Sequence, residues 1–140
     1  MLNHYRFHHR LRVRWDEVDA QRVVFNAHYL TYLDVAFAEY IRRGVAVHQG
    51  EMRNTVIVKT ELEFFSSARY DEELAIGVRT VSMGRTSLQV DFEIKRHQDV
   101  LVRAHTVYVH MDLETQKPLP IPEEWRTRIQ LFENMVKDKE

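Results

Sequence analysis

The stretch Ala27-His28-Tyr29-Leu30-Thr31-Tyr32-Leu33-Asp34-Val35-Ala36-Phe37-Ala38-Glu39-Tyr40-Ile41-Arg42-Arg43 decides how the rest of this chain is read. Leu30, Leu33, Phe37 and Ile41 recur at helical spacing, and Tyr29, Tyr32, Ala36 and Tyr40 fill a second stripe beside them. Two arginines and Gly44 then close the segment, as they do at a helix C-terminus. A helix over residues 27–43 spans roughly 25 Å, and its apolar surface covers more than half the circumference. Such a helix needs to be wrapped on several sides.

The flanking sequence supplies the wrapping. Upstream, Phe7, His9, Leu11, Val13 and Trp15 alternate with His8, Arg10, Arg12 and Arg14, the two-residue period of a strand with one wet face. Downstream, residues 55–65, 74–83, 87–96 and 100–111 read as strands. The connectors at 66–71, 84–85 and 97–99 have lengths that suit antiparallel neighbours joined by hairpins. Strands of about ten residues are long enough to coil around a rod. Beyond Pro118, Pro120 and Pro122, the spacing of Trp125, Ile129, Phe132 and Val136 predicts a short helix packed on an edge. The expected fold class is α+β, an antiparallel curved sheet wrapped around one long central helix, in a single domain over residues 1–140.

Composition narrows the function classes. Hydrophobic residues make up 44% and charged residues 29% of the chain, ordinary values for a folded globular protein. With 20 basic against 21 acidic residues the formal charge is −1, so no net field favours nucleic acid or anionic lipid, and neither partner is expected. The lack of cysteine excludes disulfides, thiolate metal sites and cysteine nucleophiles. Residues 1–14 hold no apolar block, which argues against a signal peptide or membrane span and makes the cytoplasm the expected location. No metal site is expected either, since His8 and His9 point to opposite faces of a strand and His105 and His110 have opposite parity. A serine triad lacks its G-x-S-x-G elbow.

The run Val13-Arg14-Trp15-Asp16-Glu17-Val18-Asp19-Ala20-Gln21-Arg22-Val23-Val24-Phe25-Asn26-Ala27-His28-Tyr29-Leu30 resembles the loop and helix start of the 4-hydroxybenzoyl-CoA thioesterase family of hotdog proteins. The similarity continues, in the family's order, through Lys59-Thr60-Glu61-Leu62-Glu63-Phe64, Ala68-Arg69-Tyr70-Asp71-Glu72-Glu73-Leu74, Gly84-Arg85-Thr86-Ser87-Leu88 and Asp112-Leu113-Glu114-Thr115-Gln116-Lys117-Pro118. This resemblance implies a hotdog fold assembled as a homodimer or homotetramer. It implies hydrolysis of acyl-CoA, or of an acyl group on acyl carrier protein, without metal or cofactor. Asp19 takes the catalytic role, and the backbone N–H at or beside Asn26 polarises the thioester carbonyl. Phe25, Asn26, Ala27 and Tyr29 then form the substrate-binding set. The Gly84 turn falls where some members meet the coenzyme phosphates, which gives Arg85 and Thr86 a coenzyme-binding role. One departure stands out. The family usually has glycine three residues after the aspartate, and this chain has Arg22, a residue that adopts positive φ with difficulty.

A thioester is already activated, so its hydrolysis needs a nucleophile or base on one side and hydrogen-bond donors where charge develops on the carbonyl oxygen. Asp19 can attack the carbonyl to give a mixed anhydride or can activate a water, and the residues leave both routes open. The donors would be the first N–H groups of the helix near Asn26, which lack intrahelical partners and sit at the positive end of its dipole. Taken without the resemblance, Asp16 and Asp19 are ordinary loop or cap residues, and His28 packs or caps on the first turn. A non-catalytic acyl-CoA-binding hotdog protein is the alternative, motivated by Arg22. A hydratase built on Asp19 and His28 ranks behind both.

Overall fold

The computed structural model describes residues 4–46 and 54–135. In chain order they form β1 (Phe7–Arg12), α1 (Asn26–Glu39), β2 (Thr55–Phe64), β3 (Glu73–Met83), β4 (Ser87–Arg96), β5 (Asp99–Asp112), β6 (Lys117–Pro118) and α2 (Glu123–Glu133). The sheet runs β1-β3-β4-β5-β2, antiparallel throughout, with β6 clipped to the end of β5. It curls about a helix, the α+β architecture expected from the apolar rod. No helix among the described residues is long and apolar enough to cross a membrane.

Period-two alternation builds the buried face. Leu74, Ile76, Val78 and Thr80 of β3, Leu88, Val90, Phe92 and Ile94 of β4, and Val102, Ala104, Thr106 and Tyr108 of β5 are all buried. The register holds them opposite one another: Ile76 faces Ile94, and Val78 faces Phe92, which faces Ala104. Onto this face α1 lays Tyr29, Tyr32, Leu33, Ala36 and Phe37. The Phe37 ring stacks on Tyr108 with centroids 4.0 Å apart. Each large side chain buried in this way contributes roughly 1.5–3 kcal/mol.

Several expectations need correcting. Residues 66–71 are not a hairpin, because β2 pairs with β5 and β3 with β1. The connector instead leaves one edge of the sheet and crosses to the other side. Its backbone bonds go to the loop before α1, with Asp71 N–H donating to Val13 O and Val24 N–H to Ala68 O. β1 stops at Arg12, and Trp15 enters a short 3-10 turn, Trp15–Glu17.

The central helix is regular only to Glu39 and continues as a π-helical turn, Tyr40–Val45. Ala46, not Gly44, takes the left-handed conformation that ends it, at φ 65. Gly44 matters for space, since a Cβ there would lie 3.0 Å from Phe7 Cδ1. Leu30 and Val35 of α1 stay 46% and 44% exposed, so the sheet covers less of the helix than its apolar sequence invites. Val136 lies outside the described residues. The rest of α2 packs over β3 and the π-helical turn rather than along a sheet edge, burying Trp125 and Ile129.

One polar contact ties α2 to the core. The Tyr40 hydroxyl donates to Glu133 Oε2 at 2.5 Å, and Thr80 N–H donates to the same oxygen at 3.1 Å. Burial nonetheless pushes the Glu133 carboxyl above its ordinary value, against the pull of these two bonds. A carboxyl raised in this way stabilises the fold below its unfolded pKa and loses that contribution as pH rises through its folded pKa. Glu133→Gln, neutral at every pH and still an acceptor for both bonds, is expected to raise the thermal midpoint at about pH 7–8 and to bring no gain below about pH 4. Thermal unfolding across that range checks it, and a Glu133→Gln variant less stable than the parent at about pH 8 would contradict it.

Candidate active site

The loop before α1 doubles back on itself. Asp19 N–H donates to Val23 O at 3.0 Å, Arg22 N–H donates to Asp19 O at 2.8 Å, and Val18 bridges Val24. So tight a turn requires a left-handed residue, and Arg22 supplies it with φ 69. The backbone is therefore the one a glycine would give, held by an arginine at a cost of about 1–2 kcal/mol. Within the turn, Asp19 Oδ1 accepts the Gln21 N–H at 2.8 Å, an Asx turn that orients the carboxylate. Asp19 is half-buried and makes no ion pair among the described residues.

This turn is bolted to the crossover after β2. Val23 bridges Arg69, Val24 N–H donates to Ala68 O at 2.9 Å, and Ala68 N–H donates to the Tyr29 hydroxyl at 3.0 Å. Glu17 ties the other side. Its backbone oxygen accepts Phe25 N–H at 3.0 Å, and its Oε1 accepts both the Tyr32 hydroxyl and Arg14 N–H at 2.8 Å. Arg14 Nε adds a contact to Oε2 at 3.2 Å. Turn, helix start and crossover thus form one hydrogen-bonded corner.

The corner opens into a cleft of about 490 Å³ lined by Trp15, Val18, Asp19, Arg22, Arg69 and Tyr70. Trp15 and Tyr70 meet edge to face, with centroids 5.2 Å apart, and form its aromatic wall. At the start of α1, Phe25 provides no side-chain cap, and His28 N–H bonds back to Phe25 O at 2.9 Å. The N–H groups of Asn26 and Ala27 have no acceptor among the described residues. They are two donors at the positive end of the helix dipole, able to receive developing negative charge.

The predicted residues are only partly brought together. Asp19 lies in the cleft, and Phe25, Asn26 and Ala27 are exposed at the helix start. Tyr29 is in the core, 1% exposed, with Tyr32 and Phe64 rings at 5.9 and 5.6 Å, and its hydroxyl holds the crossover. Arg85 and Thr86 sit in the β3–β4 turn. Arg12, which leads into the Asp19 loop, faces Glu73 at the other end of β3, so the turn is roughly 30 Å away along the strand. An arginine side chain cannot cover that distance within one chain. His28 is half-buried beside Phe25, with ring centroids 6.1 Å apart.

Glu17 is the residue the sequence reading passed over. Its signal was partial: arginine has no side-chain acceptor for a capping box, and only the return half forms, with Arg14 N–H donating to Glu17 Oε1. Trp15 and Tyr70 left no such signal, because an aromatic in a polar loop reveals its partner only in three dimensions.

Residues 13–129 match the Thioesterase-like superfamily, and the chain belongs to that family. Among curated proteins it is similar to the acyl-CoA thioester hydrolase YbgC of Escherichia coli O157:H7, at 29% identity over 116 residues, covering 80% of this chain and 87% of that protein. The acyl-CoA thioesterase YbgC of Haemophilus influenzae is 25% identical over 118 residues, covering 81% and 87%. Among solved structures, a thioesterase from Thermus thermophilus complexed with coenzyme A and Zn superposes with a TM-score of 0.86 at 26% identity, over 97% of this chain and 100% of that one. The hotdog fold expected from the sequence is the one these neighbours share. Among the described residues here, no group of three or more His, Cys, Asp or Glu is arranged to hold a metal ion.

Burial acts to raise the Glu17 carboxyl, but the bonds from Arg14 and Tyr32 outweigh it and hold the group below its ordinary value. The stability it provides is therefore complete above its unfolded pKa and lost as pH falls through the lower folded one. Glu17→Gln is expected to cost about 1.5–3 kcal/mol at neutral pH. In denaturant titrations the gap should shrink as pH falls below about 4, and a gap that stays constant with pH would show that the charge contributes nothing.

Proposed function

We propose that this chain hydrolyses an acyl-CoA thioester to the free acid and coenzyme A in the cleft beside Asp19. One observation carries the reading: an oriented carboxylate that lines a cleft, and two helix-start N–H groups without an acceptor among the described residues, belong to the same hydrogen-bonded corner. The YbgC relatives, named as acyl-CoA thioester hydrolases, support the substrate class.

In this mechanism the thioester carbonyl oxygen points at the N–H groups of Asn26 and Ala27, and its carbon faces Asp19. Negative charge growing on that oxygen is met by the two donors and the helix dipole, a contribution on the order of 3 kcal/mol per donor to the barrier. Asp19 either attacks the carbon, expelling the coenzyme thiolate and leaving a mixed anhydride that water opens, or removes a proton from a water that attacks directly. Both routes yield acid and thiol. The departure at Arg22 keeps a glycine-like backbone, so it changes the charge of the cleft and leaves the turn intact. That removes the motive for a non-catalytic reading.

The assembly belongs to the same proposal. Among the described residues β2 pairs on one side only, and at its bulge Ile57 and Val58 are 47% and 55% exposed, apolar edge surface that a second copy would cover. A second copy is also what would bring an Arg85–Thr86 turn toward the cleft. Homodimer or homotetramer is the expected state.

Asp19→Ala is expected to lower kcat by roughly 10²–10⁴-fold on any acyl-CoA the parent hydrolyses, with an unchanged circular dichroism spectrum. A thiol-release assay reads this directly. A variant that turns over at the parental rate would remove Asp19 from the mechanism.

A further inference from the structure

Eight of the fourteen described arginines pair with a carboxylate, and Arg22 and Arg69 are not among them. Arg12, Arg14, Arg42, Arg79, Arg96 and Arg103 each lie within 4.0 Å of a carboxylate oxygen. The guanidinium groups of Arg22 and Arg69 have no carboxylate or carbonyl partner among the described residues, although both line the Asp19 cleft. Their backbones are held close, because Val23, next to Arg22, bridges Arg69. Backbone partners of this kind stand about 5 Å apart.

The balance of charge in the cleft follows. Asp19 is its one carboxylate, and one of that carboxylate's oxygens is already engaged by the Gln21 N–H. Among the lining residues two arginines stand against one carboxylate, and the neighbouring Glu72 carboxylate, which accepts the Arg69 N–H at 2.8 Å, is paired with Arg96. The Trp15 and Tyr70 rings stand beside it, edge to face and open to solvent. The root of the Arg22 side chain is also fixed, since its own N–H is bonded to Asp19 O and its backbone is confined to the left-handed region. An arginine rooted so near the carboxylate, with five donors and no acceptor among the described residues, is placed to receive an anion.

We infer that Arg22, with Arg69, makes the cleft selective for acyl groups carrying a carboxylate or similar anion at the end remote from the thioester, as in monothioesters of dicarboxylic acids. This rests on the proposed hydrolysis at Asp19 and names the substrate class of that site. An anion at the far end of the acyl chain pairs with the guanidiniums while its thioester end stays beside Asp19. A neutral acyl group of the same size leaves both arginines unpaired.

The coenzyme phosphates are anions too, and the test separates them from the acyl group. Two thioether analogues of coenzyme A that cannot be hydrolysed are used, one with a carboxybutyl chain and one with its neutral carbamoylbutyl isostere. Calorimetry on the parent protein is expected to show the carboxylate analogue binding on the order of tenfold more tightly. Arg22→Gly, whose glycine accepts the same backbone and whose thermal midpoint reports that it folds, should close that gap to less than about twofold. The gap should persist with the corresponding pantetheine thioethers, which lack the nucleotide phosphates.

Equal affinities in the parent, or binding of neither analogue, overturn the inference. So does an Arg22→Gly variant that weakens both analogues alike, an outcome that puts the guanidinium on the coenzyme. The hydrolysis reading fails separately. A parent that prefers the carboxylate analogue yet releases no thiol from the matching thioester contradicts hydrolysis and keeps the anion selection. Rapid thiol release without any preference for charge does the reverse.

Discussion

The structure turns on the peptide groups of Ala68. Its carbonyl accepts the Val24 N–H and its N–H donates to the Tyr29 hydroxyl, so one fully buried residue joins the crossover after β2, the loop before α1 and the first turn of α1. Backbone groups buried away from water must be paired, and here each pairing also positions something. The loop is held where Asp19 faces the cleft. The helix is held with its uncapped N–H groups at the same corner. The loop and the helix start are also tied to each other, through Phe25 N–H to Glu17 O and the Tyr32 hydroxyl to Glu17 Oε1, and the crossover fixes both to the sheet.

Much of this was legible in the sequence, for an identifiable reason. The strands and the central helix announce themselves by period, since burial on one face imposes alternation on a strand and a stripe on a helix. Leu74, Ile76 and Val78 fall in a span that reads as a strand, and Tyr32, Ala36 and Phe37 fall on the apolar stripes of the helix, without tertiary information. Strand order was not legible. The short connector between β2 and β3 suits a hairpin as well as a crossover, and the choice depends on which strands are already neighbours, a fact carried by contacts remote in sequence.

The site divides along the same line. Asp19 and the helix start were readable as candidates because they lie close together in sequence and the family pattern marks them. Tyr29 belongs to the same stretch, yet its hydroxyl serves the fold by holding Ala68, and nothing local distinguishes a tyrosine that lines a cleft from one that braces it. Arg85 and Thr86 lie at the far end of the sheet, which only the strand register reveals. Arg22 shows the opposite case. Its departure from glycine looked like a change of loop shape, and the loop kept its shape at the expense of strain while the cleft gained a cation.

In the proposed reaction the thioester sits between Asp19 and the leading end of α1. A crystal structure with an acyl-CoA ketone analogue, whose carbonyl cannot be cleaved, examines that placement without relying on turnover. The analogue's oxygen is expected at about 2.7–3.1 Å from the N–H of Asn26 or Ala27, with the Asp19 carboxylate facing the carbonyl carbon. An analogue bound instead on the outer face of the sheet, in the cavity beside Tyr5, Arg79 and His105, with Asp19 remote from its carbonyl, would contradict it.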